Sequence, residues 1–285
     1  MSGPVLAAVG DLLEDVVVWL DGPLTPGTDC PGRVYRVRGG SAANVASAAC
    51  GLVERPPRFI GCIGTDVAGD NLRDALAARG VDVRVQRRGE TGAVVVLVDP
   101  SGERTMIPRR DAATGLQAIP DEWLDGVGIL HVPAYGLVAE PMSTSVQDAA
   151  ARVRASGGLV SVDASSVGTL ADFGRDHALA VLAAMAPDYL LANREESDFL
   201  RVTGAPWLRT LVVKDGPHPT RVHPAHGAPF SVDVPPVPDV RDTTGAGDAF
   251  AAGFLTAVLA AADLRPAVES GHARAAQALA RQGAL

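Results

Sequence analysis

The chain has 285 residues, of which 47% are hydrophobic and 20% charged, a composition typical of a globular protein with one large core. The formal net charge of −8, without a block of Lys or Arg, argues against nucleic acid as the main partner. No run approaches the ~20 apolar residues of a membrane span. The three cysteines lack CxxC spacing and indicate reduced thiols, so we expect a cytoplasmic protein that binds no membrane.

The N-terminal part predicts one buried strand followed by a β excursion that leaves the core. The strand covers residues 5–9 and ends at Gly10-Asp11. Within residues 16–38, the stretch 33–38 alternates arginine with apolar side chains, which is typical of a half-exposed strand.

Two glycines then introduce an alanine-rich helix over residues 45–52. Small side chains let a ligand approach the backbone, and Asn44 offers both a donor and an acceptor. An ordinary tight helix start explains the same residues equally well. A strand at 59–63 and a helix at 70–79 that ends at Gly80 follow.

Residues 81–108 return to β character. Strands at 93–98 and 104–107 flank a turn and predict a hairpin. Together, residues 16–38 and 83–108 predict a small separate sheet that forms a lid over a ligand site.

From residue 128 onward strands and helices alternate. The predicted fold class is therefore α/β, with a mainly parallel sheet, helices on both faces and a terminal β meander at 222–234. We expect a single domain, 1–285, with the β lid appended. Ligands would bind outside the C-terminal ends of the strands.

Two strands end in polar residues that suit a nucleotide site. Asn193 and Glu196 follow the strand 189–192, and such an amide and carboxylate could hold Mg²⁺ through water. The alternative is a helix cap, with Asn193 as N-cap and Glu196 at N3. A nucleotide could also lie across Lys214 to Pro217, although a plain loop is as good an explanation.

The segment 242–250 is the most informative stretch. Gly245 and Gly247 let several N–H groups point one way at a helix N-terminus, which is a site for phosphate-like anions. Asp248 beside such an anion site suits a general base that takes a proton from an attacking hydroxyl. The alternative is that Asp248 only caps the helix and the glycines only form a turn.

Four ordered motifs resemble those of the ribokinase-like (PfkB family) carbohydrate kinases over the whole length of the chain. Gly39 to Asn44 is similar to the N-terminal signature of that family. Gly64 to Gly69 with Thr91-Gly92 follows, Asn193 to Glu196 is similar to its Asn-x-x-Glu motif, and Asp242 to Asp248 is similar to its C-terminal signature.

The resemblance implies an ATP-dependent kinase that phosphorylates a hydroxyl, in particular a hydroxymethyl, of a small sugar or sugar derivative. Asp248 would be the general base, and the backbone of Gly245, Ala246 and Gly247 would form the anion hole. Glu196 would bind Mg²⁺ through water. The residues implied to bind the nucleotide are Asn193, Glu196, Lys214, Gly216 and His272.

For the sugar, the resemblance implies Asp15, Gly39, Gly40 and Asn44, and we add Tyr135 as a packing residue, with an edge-of-core tyrosine as the alternative. Arg109 and Arg110 would also point toward the site. Members of the family often need a monovalent cation such as K⁺. Asp242 and Thr244 match part of that site, as do Ala278, Arg281 and Gly283.

Some positions depart from the family pattern. Pro219 stands where a glycine is usual, which affects the expected nucleotide preference. Two other functions stay open. A nucleoside kinase would need an aromatic stacking surface, for which Trp19, Tyr35 and Tyr135 are the candidates, and a catalytically idle sugar-binding regulator would lack the base. The lids of two copies could pair in a homodimer.

Overall fold

The computed structural model describes residues 3–240 and 242–280, which form two β-sheets with helices around the larger one. The strands in these ranges are β1 (Val5–Val9), β2 (Leu13–Leu20), β3 (Gly32–Gly39), β4 (Arg58–Ile63), β5 (Asp82–Arg87), β6 (Ala93–Val98), β7 (Arg104–Arg109), β8 (Val127–Pro133), β9 (Leu159–Asp163), β10 (Tyr189–Asn193), β11 (Thr210–Asp215), β12 (His218–Pro224) and β13 (Phe230–Val232). The α-helices are α1 (Ser41–Ala49), α2 (Val67–Ala78), α3 (Met142–Ala155), α4 (Val167–Phe173), α5 (Arg175–Met185), α6 (Arg194–Leu200), α7 (Ala246–Leu259) and α8 (Leu264–Leu279).

The large sheet has the strand order β13-β12-β11-β10-β9-β8-β1-β4-β5. The seven strands β11, β10, β9, β8, β1, β4 and β5 run parallel, and β12 pairs antiparallel with both β11 and β13. Both the predicted parallel sheet and the predicted terminal meander are confirmed. Because the parallel strands share one direction, their C-terminal ends meet at one edge of the sheet.

Each face of the large sheet is covered by helices, as predicted. Along β1, Leu6 and Ala8 point into the core under α1, α2, α7 and α8, whereas Ala7 and Val9 point into the core under α3 to α6. A parallel strand that is buried on both faces needs apolar residues at every position, and all of Val5–Val9 are buried.

The small sheet has the order β3-β2-β6-β7. Strands β6 and β7 pair antiparallel through the turn at 99–103, which confirms the predicted hairpin, and β6 pairs parallel with β2. The chain therefore leaves the large sheet twice to build this second sheet, which we call the lid.

The predicted lid boundary at residue 83 is wrong. Residues 83–87 belong to β5, which pairs parallel with β4 at the edge of the large sheet. The helix α2 between them provides the crossover that a parallel pair requires, and Arg58 of β4 donates to Asp82 of β5 at 2.8 Å. The lid consists of β2, β3, β6 and β7.

Helices α1 and α2 begin earlier than the predicted residues 45 and 70. Helix α1 begins at Ser41 and α7 at Ala246, each directly after a glycine with positive φ, Gly40 (φ 104°) and Gly245 (φ 75°). These glycines turn the chain sharply into the helix, so the polar residues after them lie in the first turn. No described helix has the length and apolar character needed to cross a membrane. That the whole chain is one domain stays a prediction.

Candidate active site

A cavity of about 990 Å³ lies between the lid and the C-terminal edge of the large sheet. The lid contributes Leu13, Val94 and Met106, and the sheet contributes the side chains that follow β9, β10 and β11. The predicted site residues that line it are Asp15, Gly40, Asn44, Tyr135, Asn193, Glu196, Lys214, Gly216, Thr244, Gly245, Ala246, Gly247, Asp248 and His272.

Other predicted residues lie next to the cavity or apart from it. Gly39 packs against the Asp15 carboxylate, with no room for a Cβ between them. Asp242 lines a smaller cavity under the lid. Pro219 lines a separate surface depression. Arg281 and Gly283 lie outside the described residues.

Asp248 lies in the first turn of α7, and α1 holds its carboxylate. The Ser41 hydroxyl donates to Oδ1 at 2.6 Å, and the Asn44 amide donates to Oδ2 at 2.9 Å. Burial raises the pKa of Asp248 to about 6, and the hydrogen bonds from Ser41 and Asn44 oppose that rise. The carboxylate is thus oriented into the cavity and is ionised at neutral pH.

The backbone before Asp248 forms the predicted turn. Gly245 is the N-cap of α7 in the left-handed conformation, and the Ala246 N–H donates to the Thr243 carbonyl at 3.3 Å. A Cβ built on Gly247 would point toward the cavity and would lie 3.5 Å from Lys214 Nζ. This helix N-terminus therefore opens onto the cavity with its partial positive charge.

Asn193 and Glu196 form a reciprocal cap at the start of α6. Asn193 Oδ1 accepts from the Glu196 N–H at 2.8 Å, and the Glu196 carboxylate accepts from the Asn193 N–H (2.7 Å) and the Asn193 side-chain amide (2.9 Å). The predicted helix cap is therefore present, and Glu196 also lines the cavity. Burial and the nearby Asp163 carboxylate raise the pKa of Glu196 to about 7.

Three neighbouring strands place their terminal side chains together. The register pairs Asn193 with Lys214 and Leu191 with Asp163. Lys214 Nζ donates to Asp163 Oδ2 at 2.8 Å, and the Ser165 N–H donates to Asp163 Oδ1 at 2.8 Å. A buried ion pair therefore lies at the edge of the sheet beside the N-terminus of α7.

A second group of charges lies around Asp15 and Asn44. Burial raises the pKa of Asp15 to about 6, although Arg38 opposes the shift. Arg38 donates to Asn44 Oδ1 at 3.0 Å. Arg110 forms an ion pair with the buried Asp11 and stacks over the ring of Tyr135, 4.3 Å from its centroid.

The loop before α7 is tied to the lid. Arg104 of β7 forms an ion pair with Asp242 at 2.6 Å and donates to the Thr244 hydroxyl.

His272 of α8 is buried against Phe250, and its Nε2 lies 2.8 Å from the Thr220 hydroxyl.

Comparison with known proteins agrees with this geometry. Residues 6–285 match the pfkB family of carbohydrate kinases. The chain belongs to this family. It is 35% identical to an ATP-dependent ribose-1-phosphate kinase of Halopiger xanaduensis over 86% of this chain and 81% of that one. It is 31% identical to a fructokinase of Klebsiella pneumoniae over 81% of this chain and 80% of that one.

The pfkB membership also agrees with the fold. The structure of adenosine kinase from Sinorhizobium meliloti superposes with a TM-score of 0.88 at 20% identity, over 99% of this chain and 95% of that chain. At that identity the likeness shows a shared ribokinase-like fold. The protein is an ATP-dependent carbohydrate kinase, as the sequence predicted.

For this pfkB kinase, sequence reasoning missed several cavity residues. Ser41 and Asp163 were not singled out, although Asp163 ends β9 just as Asn193 ends β10 and could have been found in the same way. No sequence pattern indicated a role for Arg104, because only the topology of the lid brings this residue close to the loop at 242–244. Arg109 does not point into the site; it is largely exposed and pairs with Glu90 and Asp111.

Proposed function

We propose that this protein transfers the γ-phosphoryl group of ATP to a primary hydroxyl of a small sugar, with Asp248 as the general base. The supporting observation is the Asp248 carboxylate at the N-terminus of α7, oriented into the cavity by Ser41 and Asn44. A base must lie within hydrogen-bond reach of the proton it takes, and an acceptor hydroxyl can replace one of these two donors.

The chemistry requires few groups from the protein. The hydroxyl oxygen forms a bond to the γ-phosphorus, its proton passes to Asp248, and the bond to the β-phosphate oxygen breaks with its electron pair leaving on ADP. N–H groups at the start of α7 would stabilise the negative charge on the transferring group. Since the Ala246 N–H already donates to Thr243, Gly245 and Gly247 are the first candidates.

Magnesium would enter with the nucleotide. No group of three or more His, Cys, Asp or Glu side chains within the described ranges could hold a metal ion by itself. Mg²⁺ in phosphoryl-transfer sites usually keeps several waters and takes only one or two carboxylates besides the phosphates. Glu196 lines the cavity and is a suitable partner through water. The bound ion would neutralise phosphate charge.

The sugar is proposed to bind among Asp15, Gly40, Asn44 and Tyr135, with ATP over Lys214, Gly216 and His272. Asp15 and Asn44 offer the donors and acceptors that vicinal hydroxyls need. A nucleoside is disfavoured because Arg110 covers one face of Tyr135, and Trp19 and Tyr35 line the smaller cavity. The relative named for ribose 1-phosphate makes that sugar phosphate a leading candidate.

The direct experiment measures ADP release with ATP, Mg²⁺ and one acceptor at a time. The panel holds ribose, ribose 1-phosphate, fructose, keto-sugar acids and nucleosides. We expect ADP release that depends on a sugar or sugar phosphate. Release with nucleosides alone would support the nucleoside kinase, and no acceptor-dependent release at all would favour the idle regulator.

The pH dependence follows from Asp248. Because the base works as its carboxylate and its pKa is about 6, kcat/KM should fall as the pH drops below about 6. The Asn44 hydrogen bond stabilises the charged form, so Asn44→Ala should move this acid limb upward by about one pH unit. A limb that stays in place in this variant would contradict the assignment.

A homodimer through the lid is also proposed. On the lid face away from the cavity, Val34 and Ile107 are 65% and 56% exposed. Val18 pairs with Val34, so it lies on the same outer face, next to the Glu14–Arg36 ion pair. An apolar sheet face of this kind suits burial against a second lid.

We expect Val34→Lys to convert a dimer into a monomer, measured by light scattering after size-exclusion chromatography. Val67→Lys is the matched control, because Val67 is a similarly exposed valine (74%) on α2, outside the lid. A monomeric wild-type protein, or dissociation by the Val67 change alone, would contradict the lid interface.

Two further features remain predictions. A K⁺ site at Asp242, Thr244 and Ala278 is proposed from the family pattern, and in the described residues the Asp242 carboxylate is engaged by Arg104. A cytoplasmic location fits the three unpaired cysteines, Cys30, Cys50 and Cys62.

A further inference from the structure

Lys214 is unusual in this chain because it is the single lysine. The sequence contains 25 Lys and Arg residues, and every other one is arginine. Within residues 3–240 and 242–280 arginine provides the cation of every surface ion pair, while the lysine ammonium lines the cavity at the end of β11. An ammonium is a compact point charge with three donors, whereas a guanidinium is a larger planar fork. The single lysine therefore indicates that a compact ammonium group has a specific role at position 214.

The geometry places the ammonium at the N-terminus of α7. Among the described residues, Lys214 Nζ is the one atom within 4 Å of a Cβ built on Gly247, at 3.5 Å. Nζ also lies 5.9 Å from the ring centroid of Phe250, one turn further along α7. The ammonium therefore lies beside the backbone that would hold the phosphoryl group.

The charge of Lys214 is fixed by its surroundings. Burial alone lowers the pKa of this lysine, but the carboxylates of Asp163, Glu196 and Asp248 outweigh that effect, and the pKa lies above its ordinary value. The side chain is 17% exposed and donates to Asp163 at 2.8 Å. One hydrogen bond to Asp163 leaves two ammonium protons for other partners.

We propose that Lys214 is a catalytic residue whose ammonium group contacts the γ-phosphoryl oxygens during transfer, and that Asp163 positions it. The proposal rests on the proposed kinase function and deepens it. As the bond to the acceptor oxygen forms and the bond to the ADP oxygen breaks, negative charge moves over the phosphoryl oxygens. A fixed cation next to Gly247 stabilises that charge without having to reorganise.

A purely structural role explains less of the arrangement. A buried ion pair is a poor source of stability, because the desolvation of both charges offsets their attraction. Both members of the pair line the cavity, and the ammonium group lies beside the first turn of α7. A charge that faces the place of reaction is the better explanation of its position.

The test compares Lys214→Met with Lys214→Arg. Loss of one donor to a developing negative charge lowers kcat by about 10²- to 10³-fold, and we expect this for Lys214→Met with the KM for the sugar within a few fold. Lys214→Arg should recover part of kcat, because the charge returns in a different shape. Asp163→Asn should lower kcat less than Lys214→Met, because the ammonium remains but is no longer held.

Two readouts separate this role from a structural one. Lys214 lowers the pKa of Asp248, so its loss should move the acid limb of kcat to higher pH. Aluminium fluoride mimics the transferring phosphoryl group. Together with ADP and sugar it should raise the Tm of the wild type beyond the Tm with ADP alone. In Lys214→Met this additional rise in Tm should be lost. Arg194→Met is the control, because it removes an exposed cation beside the same strand and should change neither readout.

Several results would overturn the assignment. A Lys214→Met enzyme with a raised KM for ATP and an unchanged kcat would make Lys214 a ground-state nucleotide ligand. An unchanged acid limb together with an intact fluoride increment would make it structural. A wild-type protein without sugar-dependent ADP release would defeat the proposed function itself, whereas normal turnover in Lys214→Met would defeat only this inference.

Discussion

Asp248→Asn is expected to lower kcat by about 10³- to 10⁴-fold, at the upper end of what a positioned base contributes. The amide keeps the size of the side chain but cannot accept the hydroxyl proton. ATP binding should stay near the wild-type value, because the proposed nucleotide contacts lie on β10, β11 and α8. Steady-state kinetics with the best acceptor, together with calorimetric ATP binding, measures both quantities.

Stability provides the control for Asp248→Asn. Burial disfavours the Asp248 carboxylate and raises its pKa to about 6, so at pH 8 the folded protein carries an unfavourable buried charge. A neutral amide removes that charge, and the free energy of unfolding should be equal or higher. A kcat within tenfold of the wild type in a folded variant would remove Asp248 from the role of base.

Gly40→Ala is expected to damage both stability and the sugar site. Gly40 has φ 104° and ψ 120°, and a Cβ there would overlap the carbonyl oxygen of Asp11 and lie 3.1 Å from Leu12 Cα. Backbone strain and overpacking each cost about 1–3 kcal/mol. Relief of the overlap would move the backbone at residue 40 and displace Ser41 and Asn44. The sugar KM should therefore rise at least tenfold, and kcat should fall.

Gly51→Ala is the matched control for Gly40→Ala. Gly51 also has a positive φ, 80°, but no atom lies within 4 Å of a Cβ built on it. The Gly51→Ala variant should therefore show only the destabilisation caused by a side chain at positive φ, measured as a lower Tm, and its kinetics should be unchanged. Equal losses in the two variants would mean that the close contact with Asp11 does not matter.

The glycine-rich motifs predicted much of the site, because the groups that they contribute lie close together in the sequence. A glycine pair before an alanine-rich helix, and the segment 242–248 before another, place backbone N–H groups and one carboxylate within a few residues of each other. The predicted residues Asn44, Glu196, Lys214 and Asp248 accordingly line one cavity. Their shared location also follows from parallel strands, whose C-terminal ends meet at one edge.

The lid boundary shows where local reasoning fails. Residues 82–87 and 93–98 have similar β character, yet the first pairs with β4 in the large sheet and the second with β2 in the lid. Strand partners are distant in sequence, and the choice depends on the crossover helix α2 and on contacts such as Arg58–Asp82. Propensity along the chain does not contain that information.

By itself the sequence determined the α/β class, the kinase motifs and the position of the proposed base, because periodicity and glycine spacing act over short stretches. Tertiary structure decided which side chains orient that base and which charges surround it. Ser41 and Asp248 are 207 residues apart, and Lys214 and Asp163 are 51 apart. Such pairs are specified by strand order and helix packing, which arise when the whole chain buries its apolar faces.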